Sequence, residues 1–366
     1  MPTIGAIINF LETRAPISLQ ESYDNSGLAC GDRNLECMGA ITSLDLTKEV
    51  LEEAIEKKFN LIVVHHPPIF KALKKLDLHD PVTELLLSAV KHQIAIYAIH
   101  TNLDNVIWGV NGEISRRIGL KNIEVLAPLQ STHLKLVTFV PSDHQEKLIN
   151  ALFEAGAGSI GNYNECSFSV EGKGSFKPLD GSNPFIGKKG IREEVNESRM
   201  EMIFPAHLQS QIFATLHANH PYETVAYDIL PLGNTFKEYG AGAIGELEEE
   251  LSVTDMLSLL KKSFETAVIR HTNADLKKLK KIALCGGSGK SLINNALNKK
   301  ADAFITADLG YHDFFLPDGK MLLADIGHFE SEQFTSDLLV SILKEKFPTF
   351  AVLKSAHKTN PVNYFL

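Results

Sequence analysis

The chain predicts an α/β fold: a pseudo-duplicated mixed α/β core with an inserted ferredoxin-like (βαβ-βαβ) domain. Three observations carry that expectation. Short apolar runs of strand type recur near both ends, each delivering polar residues at its carboxyl end, where open α/β sheets collect their ligands. Two of these regions can be laid against each other element by element. Between them, from about Thr132 to Leu232, the pattern changes to four strands and two helices in βαβ-βαβ order. The expected domains are residues 1–130 and 237–366 as the two halves of the core, and 131–236 as the insert.

In the first half, Ile41–Leu46 reads as a strand, a helix follows and ends at Lys57-Lys58, and Leu61–Val64 is a β-branched run of the kind buried on both faces. That run delivers His65 and His66 before Pro67 and Pro68 stop it. Neighbouring side chains on an extended strand point to opposite faces. Two adjacent imidazoles therefore share one ion only if the backbone turns, as the prolines allow, or else each serves a different metal of a pair. The strand Gln93–Ile99 then runs straight into His100 and Asp104.

The second half repeats the order. Ile282–Gly287 is a strand, a helix ends at Lys299-Lys300, and Asp302–Asp308 is the next strand and its polar turn. Met321–Ile326 is a third strand. Gly327 turns the chain into His328–Glu332, which opens an apolar-periodic helix through Phe334, Leu338, Leu339 and Ile342. His328 and Glu332 stand four residues apart, on one helical face, a spacing by which helices present two ligands to one ion. In the alignment of halves His328-x-x-x-Glu332 matches His100-x-x-x-Asp104. Asp308, with Tyr311 and His312 behind it, matches His66, which makes Asp308 a candidate to support a ligand or face a substrate. The strand ends of both halves are expected at a common cleft.

In the insert the expected strands are His133–Val140, Ser167–Glu171, Met200–Phe204 and Ala226–Leu230, with helices His144–Ala155 and Ala206–Ala218 and a loop rich in Gly, Pro, Ser and Lys. His217, His220 and Glu223 read as a turn after a helix rather than as ligands. Gly286–Ser291 imitates a phosphate loop, but Leu284 stands where that loop needs a glycine, so the cradle of amides is incomplete.

Composition narrows the function. A formal net charge of −9 argues against a nucleic-acid partner, because counterion release needs clustered Lys and Arg. No apolar run approaches the ~18 residues of a membrane span, and the start lacks a basic leader, so no membrane partner and a cytoplasmic location are expected. Cys30, Cys37, Cys166 and Cys285 are scattered without Cys-x-x-Cys spacing. Any metal site here must use nitrogen and oxygen ligands.

Tyr23-Asp24-Asn25-Ser26-Gly27-Leu28, His65-His66-Pro67-Pro68, His100-Thr-Asn-Leu-Asp104, Thr306-Ala-Asp308 with His312, and Gly327-His328 with Glu332 together resemble the NIF-three-like family, whose members carry the name GTP cyclohydrolase type 2 homologue. The resemblance covers nearly the whole chain, and the insert resembles the PII-like or CutA-like module of longer bacterial members. It implies a dinuclear divalent-metal site on His65, His66, Asp104, His328 and Glu332, the last bridging, and a toroidal homohexamer. It also implies hydrolysis of a nucleotide-like substrate, with His100 or His312 as proton shuttles. Imidazole and carboxylate ligands suit Zn, Fe, Mn or Ni alike. The contrasting expectation is a non-catalytic metal-handling or regulatory ring protein.

Overall fold

The computed structural model describes residues 1–130 and 132–365. Ser131, where the insert is expected to begin, and Leu366 lie outside the described residues. The chain divides into two compact units, Met1–Pro128 with Lys237–Leu366, and Leu129–Phe236.

The first stretch contributes α1 (Ile4–Arg14), β1 (Gly27–Cys30), β2 (Ala40–Ser43), α2 (Lys48–Lys57), β3 (Leu61–Val64), α3 (Pro81–Lys91), β4 (Ala95–Ala98), α4 (Thr101–Asp104), α5 (Val110–Arg117) and β5 (Lys121–Pro128). Helix starts follow capping chemistry. The Thr3 hydroxyl accepts the Ala6 N–H at 3.1 Å, and Asp80 accepts the Thr83 N–H at 2.8 Å ahead of Pro81. Strands β2, β3 and β4 pair in parallel and every residue in them is buried. That pattern is why Leu61–Val64 is continuously apolar rather than alternating.

The unit Leu129–Phe236 holds β6 (His133–Pro141), α6 (Gln145–Glu154), β7 (Phe168–Phe176), β8 (Glu193–Pro205), α7 (Gln209–Asn219) and β9 (Tyr227–Pro231). Its sheet is antiparallel in the order β7-β8-β6-β9. Leu136, Val140, Met200, Met202 and Phe204 of the sheet pack with Leu148 and Leu152 of α6 and Ile212 and Leu216 of α7. Strand β8 begins at Glu193, seven residues before the expected Met200. Its first half pairs with β7 and leaves most side chains solvated, so it lacks the apolar alternation that marks a strand in sequence. His220 is satisfied locally: its Nε2 donates to the Phe139 carbonyl at 2.9 Å and its Nδ1 accepts the Tyr222 N–H at 3.1 Å.

The chain then returns as β10 (Gly240–Leu251), α8 (Val253–Ser263), β11 (Arg270–His271), β12 (Leu279–Ser288), α9 (Ile293–Asn298), β13 (Ala303–Ala307), β14 (Leu322–Asp325), α10 (His328–Glu332), α11 (Thr335–Lys346) and β15 (Val352–Lys354). The helix expected to run unbroken from His328 is interrupted at Gln333 and Phe334. The two sheets of this unit are β1-β4-β3-β2-β15 and β11-β14-β13-β12-β10-β5. Each centres on three parallel strands, β2-β3-β4 or β12-β13-β14, with an antiparallel strand beside the third. Among the described residues no helix is long and apolar enough to cross a membrane.

Candidate metal centre

The carboxyl ends of β3 and β4 and the β14–α10 turn bring four histidines together. His65 is buried at the end of β3 and its ring lies 5.1 Å from that of His66 and 5.2 Å from that of His100. His328, on α10, lies 5.2 Å from His66, ring to ring. Each Nδ1 faces an oxygen acceptor: the Ile99 carbonyl for His65 at 2.8 Å, Asp45 for His66 at 2.7 Å, Asp24 for His100 at 2.8 Å and Asp308 for His328 at 2.7 Å. Those acceptors take the Nδ1 protons and so assign the lone pair to Nε2, the tautomer a ligand histidine needs.

Glu332, at the end of α10, works in two directions. Its Oε2 lies 3.0 Å from His66 Nε2 and 3.1 Å from His328 Nε2, while its Oε1 lies 4.0 Å from His65 Nε2. Asp104 Oδ1 is 3.6 Å from His65 Nε2. Three groups of donor atoms result, each within 4.8 Å: His65 with Asp104 and Glu332, His66 with His328 and Glu332, and His65 with His66 and His100. His66 Nε2 and His328 Nε2 approach to 3.3 Å. Two lone pairs do not meet at that distance without a positive charge between or upon them.

The electrostatics of the metal-free cluster follow from this crowding. Burial pushes His65 down to about 3, against the pull of Glu332. Burial also opposes charge on His66, but hydrogen bonds to Asp45 and Glu332 overcome it and raise the imidazole to about 9. His328 rises to about 11 because its bonds to Asp308 and Glu332 likewise outweigh burial. Burial and the neighbouring Glu332 charge push Asp104 up; Glu332 is held low, against burial, by His328 and His66. Burial, with Asp104 and Glu332 beside it, keeps the Cys285 thiol protonated, so thiolate is not offered. His65 Nε2 and Asp104 Oδ1 are buried without a hydrogen-bond partner. Such orphans are costly, and a divalent cation among nitrogen and oxygen donors is what would satisfy them.

The surroundings are shaped to fit. Gly287, at φ +56°, leaves room for Glu332: a side chain there would meet Glu332 Cδ at 3.1 Å and His328 Cε1 at 3.2 Å. The glycine-rich turn gives its amides to side chains, Gly286 to Asn111 at 3.0 Å, Gly287 to Ser331 at 3.0 Å and Gly289 to Thr306 at 2.9 Å. That use of the amides agrees with the incomplete phosphate-loop pattern. Thr359, near the chain's end, donates to Asp45 Oδ2 at 2.7 Å and so steadies the carboxylate that holds His66.

The structure therefore gathers His65, His66, His100, Asp104, His328 and Glu332, with Asp308 behind His328. His312 stands apart from these groups, exposed on the turn Tyr311–Phe315 against the Tyr311 ring. Asp24, Asp45 and Thr359 were not singled out as site residues in sequence. Asp45 follows β2 and was open to the same strand-end argument as the histidines. Asp24 also takes the Thr101 N–H at 3.0 Å and the Thr101 and Ser26 hydroxyls, a convergence visible only in three dimensions.

Histidines and carboxylates gathered at parallel strand ends of a two-sheet α/β core define a protein with a candidate metal centre. Residues 2–361 match the model of the Duf34/NIF3 (NGG1p interacting factor 3) family, and the chain belongs to that family. It is 37% identical over 365 residues to the GTP cyclohydrolase 1 type 2 homolog of Bacillus subtilis, covering 98% of this chain and 97% of that one. It is 38% identical to the protein of the same name from Halalkalibacterium halodurans, covering 98% of both. Among solved structures, a Bacillus cereus protein related to NIF3 superposes with a TM-score of 0.85 at 36% identity, covering 100% of this chain and 99% of that one.

Proposed function

We propose that this chain holds two divalent metal ions on His65, His66, Asp104, His328 and Glu332 and hydrolyses a nucleotide-like substrate. The observation that carries the reading is the double use of Glu332. One donor group is His65 with Asp104, the other His66 with His328, and the single carboxylate belongs to both. Zn, Fe, Mn or Ni fits such donors. Two such ions would supply Lewis-acid activation of water near neutral pH.

The residues around them have separable tasks. Asp45 and Asp308 hold the rings of His66 and His328 in place. His100, braced by Asp24 on one nitrogen, offers the other for proton transfer beside His65 and His66. His312 is the second proton carrier in this reading; it is exposed and stands outside the three donor groups. The substrate class rests on the name that its relatives carry, GTP cyclohydrolase 1 type 2 homolog, and the reaction is hydrolytic opening of a guanine nucleotide's imidazole ring. The same proposal reads residues 131–236 as a ferredoxin-like insert, supported by the β7-β8-β6-β9 order of that unit, within a duplicated core of residues 1–130 and 237–366. A cytoplasmic homohexameric ring completes it.

Elemental analysis of the purified protein beside Glu332→Gln tests the centre. Two metal equivalents in the parent, fewer in the variant, and metal-dependent loss of the guanine absorbance on GTP are the expected results. Circular dichroism should be the same for both proteins. Metal binding without turnover on a nucleotide and phosphoester panel would leave a metal-handling protein, and an absence of metal would overturn the proposal.

A further inference from the structure

The second unit, Leu129–Phe236, contains a cleft of about 400 Å³ that lies wholly within it. Its walls come from three strands and two loops. Phe139 lies on β6, Phe176 on β7 and Glu197 on β8, while Tyr222 follows α7 and Phe185 sits in the long loop between β7 and β8. The rings are arranged around one space: Tyr222 lies 5.9 Å from Phe176 and 6.4 Å from Phe185, centroid to centroid. Beside these rings sits a half-buried carboxylate, that of Glu197. Glu197 Oε1 accepts the Tyr222 hydroxyl at 2.7 Å. Its carboxylate overlies Gly174, whose missing side chain makes the space.

Charge decides what such a cleft takes. Its lining carries two carboxylates, Glu197 and Glu223, and no lysine, arginine or histidine. Of the cations flanking Glu197 on the paired strands, Lys173 lies 3.9 Å from Glu194, and Arg199 pairs with Glu201 at 2.9 Å while its guanidinium stands 5.9 Å from the centre of the Phe139 ring. Glu223 is used structurally, both its oxygens accepting the Asn183 N–H at 3.0 and 3.1 Å, which ties down the loop that carries Phe185. His144 and His220 stand behind the Phe185 and Tyr222 rings, and Arg199 is paired with Glu201, so among the described residues an anion finds no base in the lining to neutralise it. A bare metal ion would find one available carboxylate among rings, too few oxygens to replace its water. Faces of aromatic rings attract positive charge, and most strongly a charge that can shed its water, as an alkylated ammonium does. The volume matches ordinary small-ligand sites.

We propose that this cleft binds an organic ammonium ion, its charged head against Glu197 and Tyr222 and its alkyl groups between Phe176 and Phe185. The site is independent of the metal centre and stands or falls on its own. The test is calorimetric titration of the full chain with choline and with 3,3-dimethylbutan-1-ol, which replaces the charged nitrogen by carbon at nearly the same shape. Saturable choline binding is expected, with the neutral isostere and the Glu197→Gln variant each weaker by about tenfold or more, as loss of a charge-assisted contact implies. Phe185→Ala supplies a second variant whose folding is not at issue, since that ring is 53% exposed, and it should weaken choline several-fold. Thermal melts and metal content should be unchanged in both variants. Absence of saturable heat in the millimolar range, equal binding of the isostere, or full choline affinity in both variants would overturn the assignment.

Discussion

Removing metal should make this protein's stability depend on pH in a defined direction. In the metal-free cluster His66 is raised from an ordinary value near 6.5 to about 9, because its bonds to Asp45 and Glu332 outweigh burial. Between those two pH values the folded chain keeps a proton that the unfolded chain has released. The stabilisation is therefore complete below about pH 6.5 and is lost as pH rises through 9. At 1.36 kcal/mol per pH unit the loss is about 3 kcal/mol. His328, raised to about 11, acts in the same sense at higher pH, with a smaller effect since its side chain is 39% exposed. On the proposed reading, the ligand imidazoles of the loaded protein would carry metal instead of that proton, and binding itself would strengthen as protons leave. The gap in melting temperature between loaded and chelated protein should consequently widen by about 6 °C from pH 6.5 to pH 9, taking about 2 °C per kcal/mol for a unit of this size. Differential scanning fluorimetry of both forms at the two pH values measures it. A gap that stays constant or narrows would refute the reasoning.

Three further outcomes are expected. Thr359→Val, which removes the hydroxyl on Asp45, should weaken metal binding about tenfold in a chelator competition while leaving the melt of the metal-free protein nearly unchanged. Gly287→Ala places a side chain at φ +56° against Glu332, and urea unfolding should show a loss of about 1–2 kcal/mol together with lowered metal content. Phe204→Ala empties the core under the β6-β8 sheet, and calorimetry should show about 3–5 kcal/mol lost from the transition of Leu129–Phe236 alone, with metal content retained.

The parallel strands were legible because they are buried on both faces: Leu61–Val64 has no polar position and Ala303–Ala307 only Thr306, so neither shows alternation to confuse the pattern. That the strand ends of both halves would share a cleft could be anticipated from their repeated order and an i, i+4 pair; the choice of His65, His66, Asp104, His328 and Glu332 among the polar residues there was implied by the family resemblance. Their supports could not all be anticipated. Asp24 holds His100 across 76 residues and Thr359 reaches Asp45 across 314, distances at which no local pattern selects a partner. The outer half of β8 was missed because its side chains are solvated and its stability comes from the ladder to β7, which periodicity does not register. His312 also follows a strand end, yet it is exposed and belongs to none of the three donor groups, a difference that no local pattern registers.

His66 and Glu332 meet across 266 residues of chain. During synthesis the segment bearing His65, His66 and Asp104 leaves the ribosome long before its complement exists, and Leu129–Phe236 follows it as a unit able to collapse on its own contacts. Closing so long a loop adds only about 0.6 kcal/mol for each doubling of its length. Delay, rather than chain entropy, is the hazard: until α10 arrives, a nascent chain exposes histidines able to capture whatever ion is abundant, without the carboxylate that completes either donor group. Full metal retention would then serve as a quality mark, carried only by chains in which α10 has been made and docked.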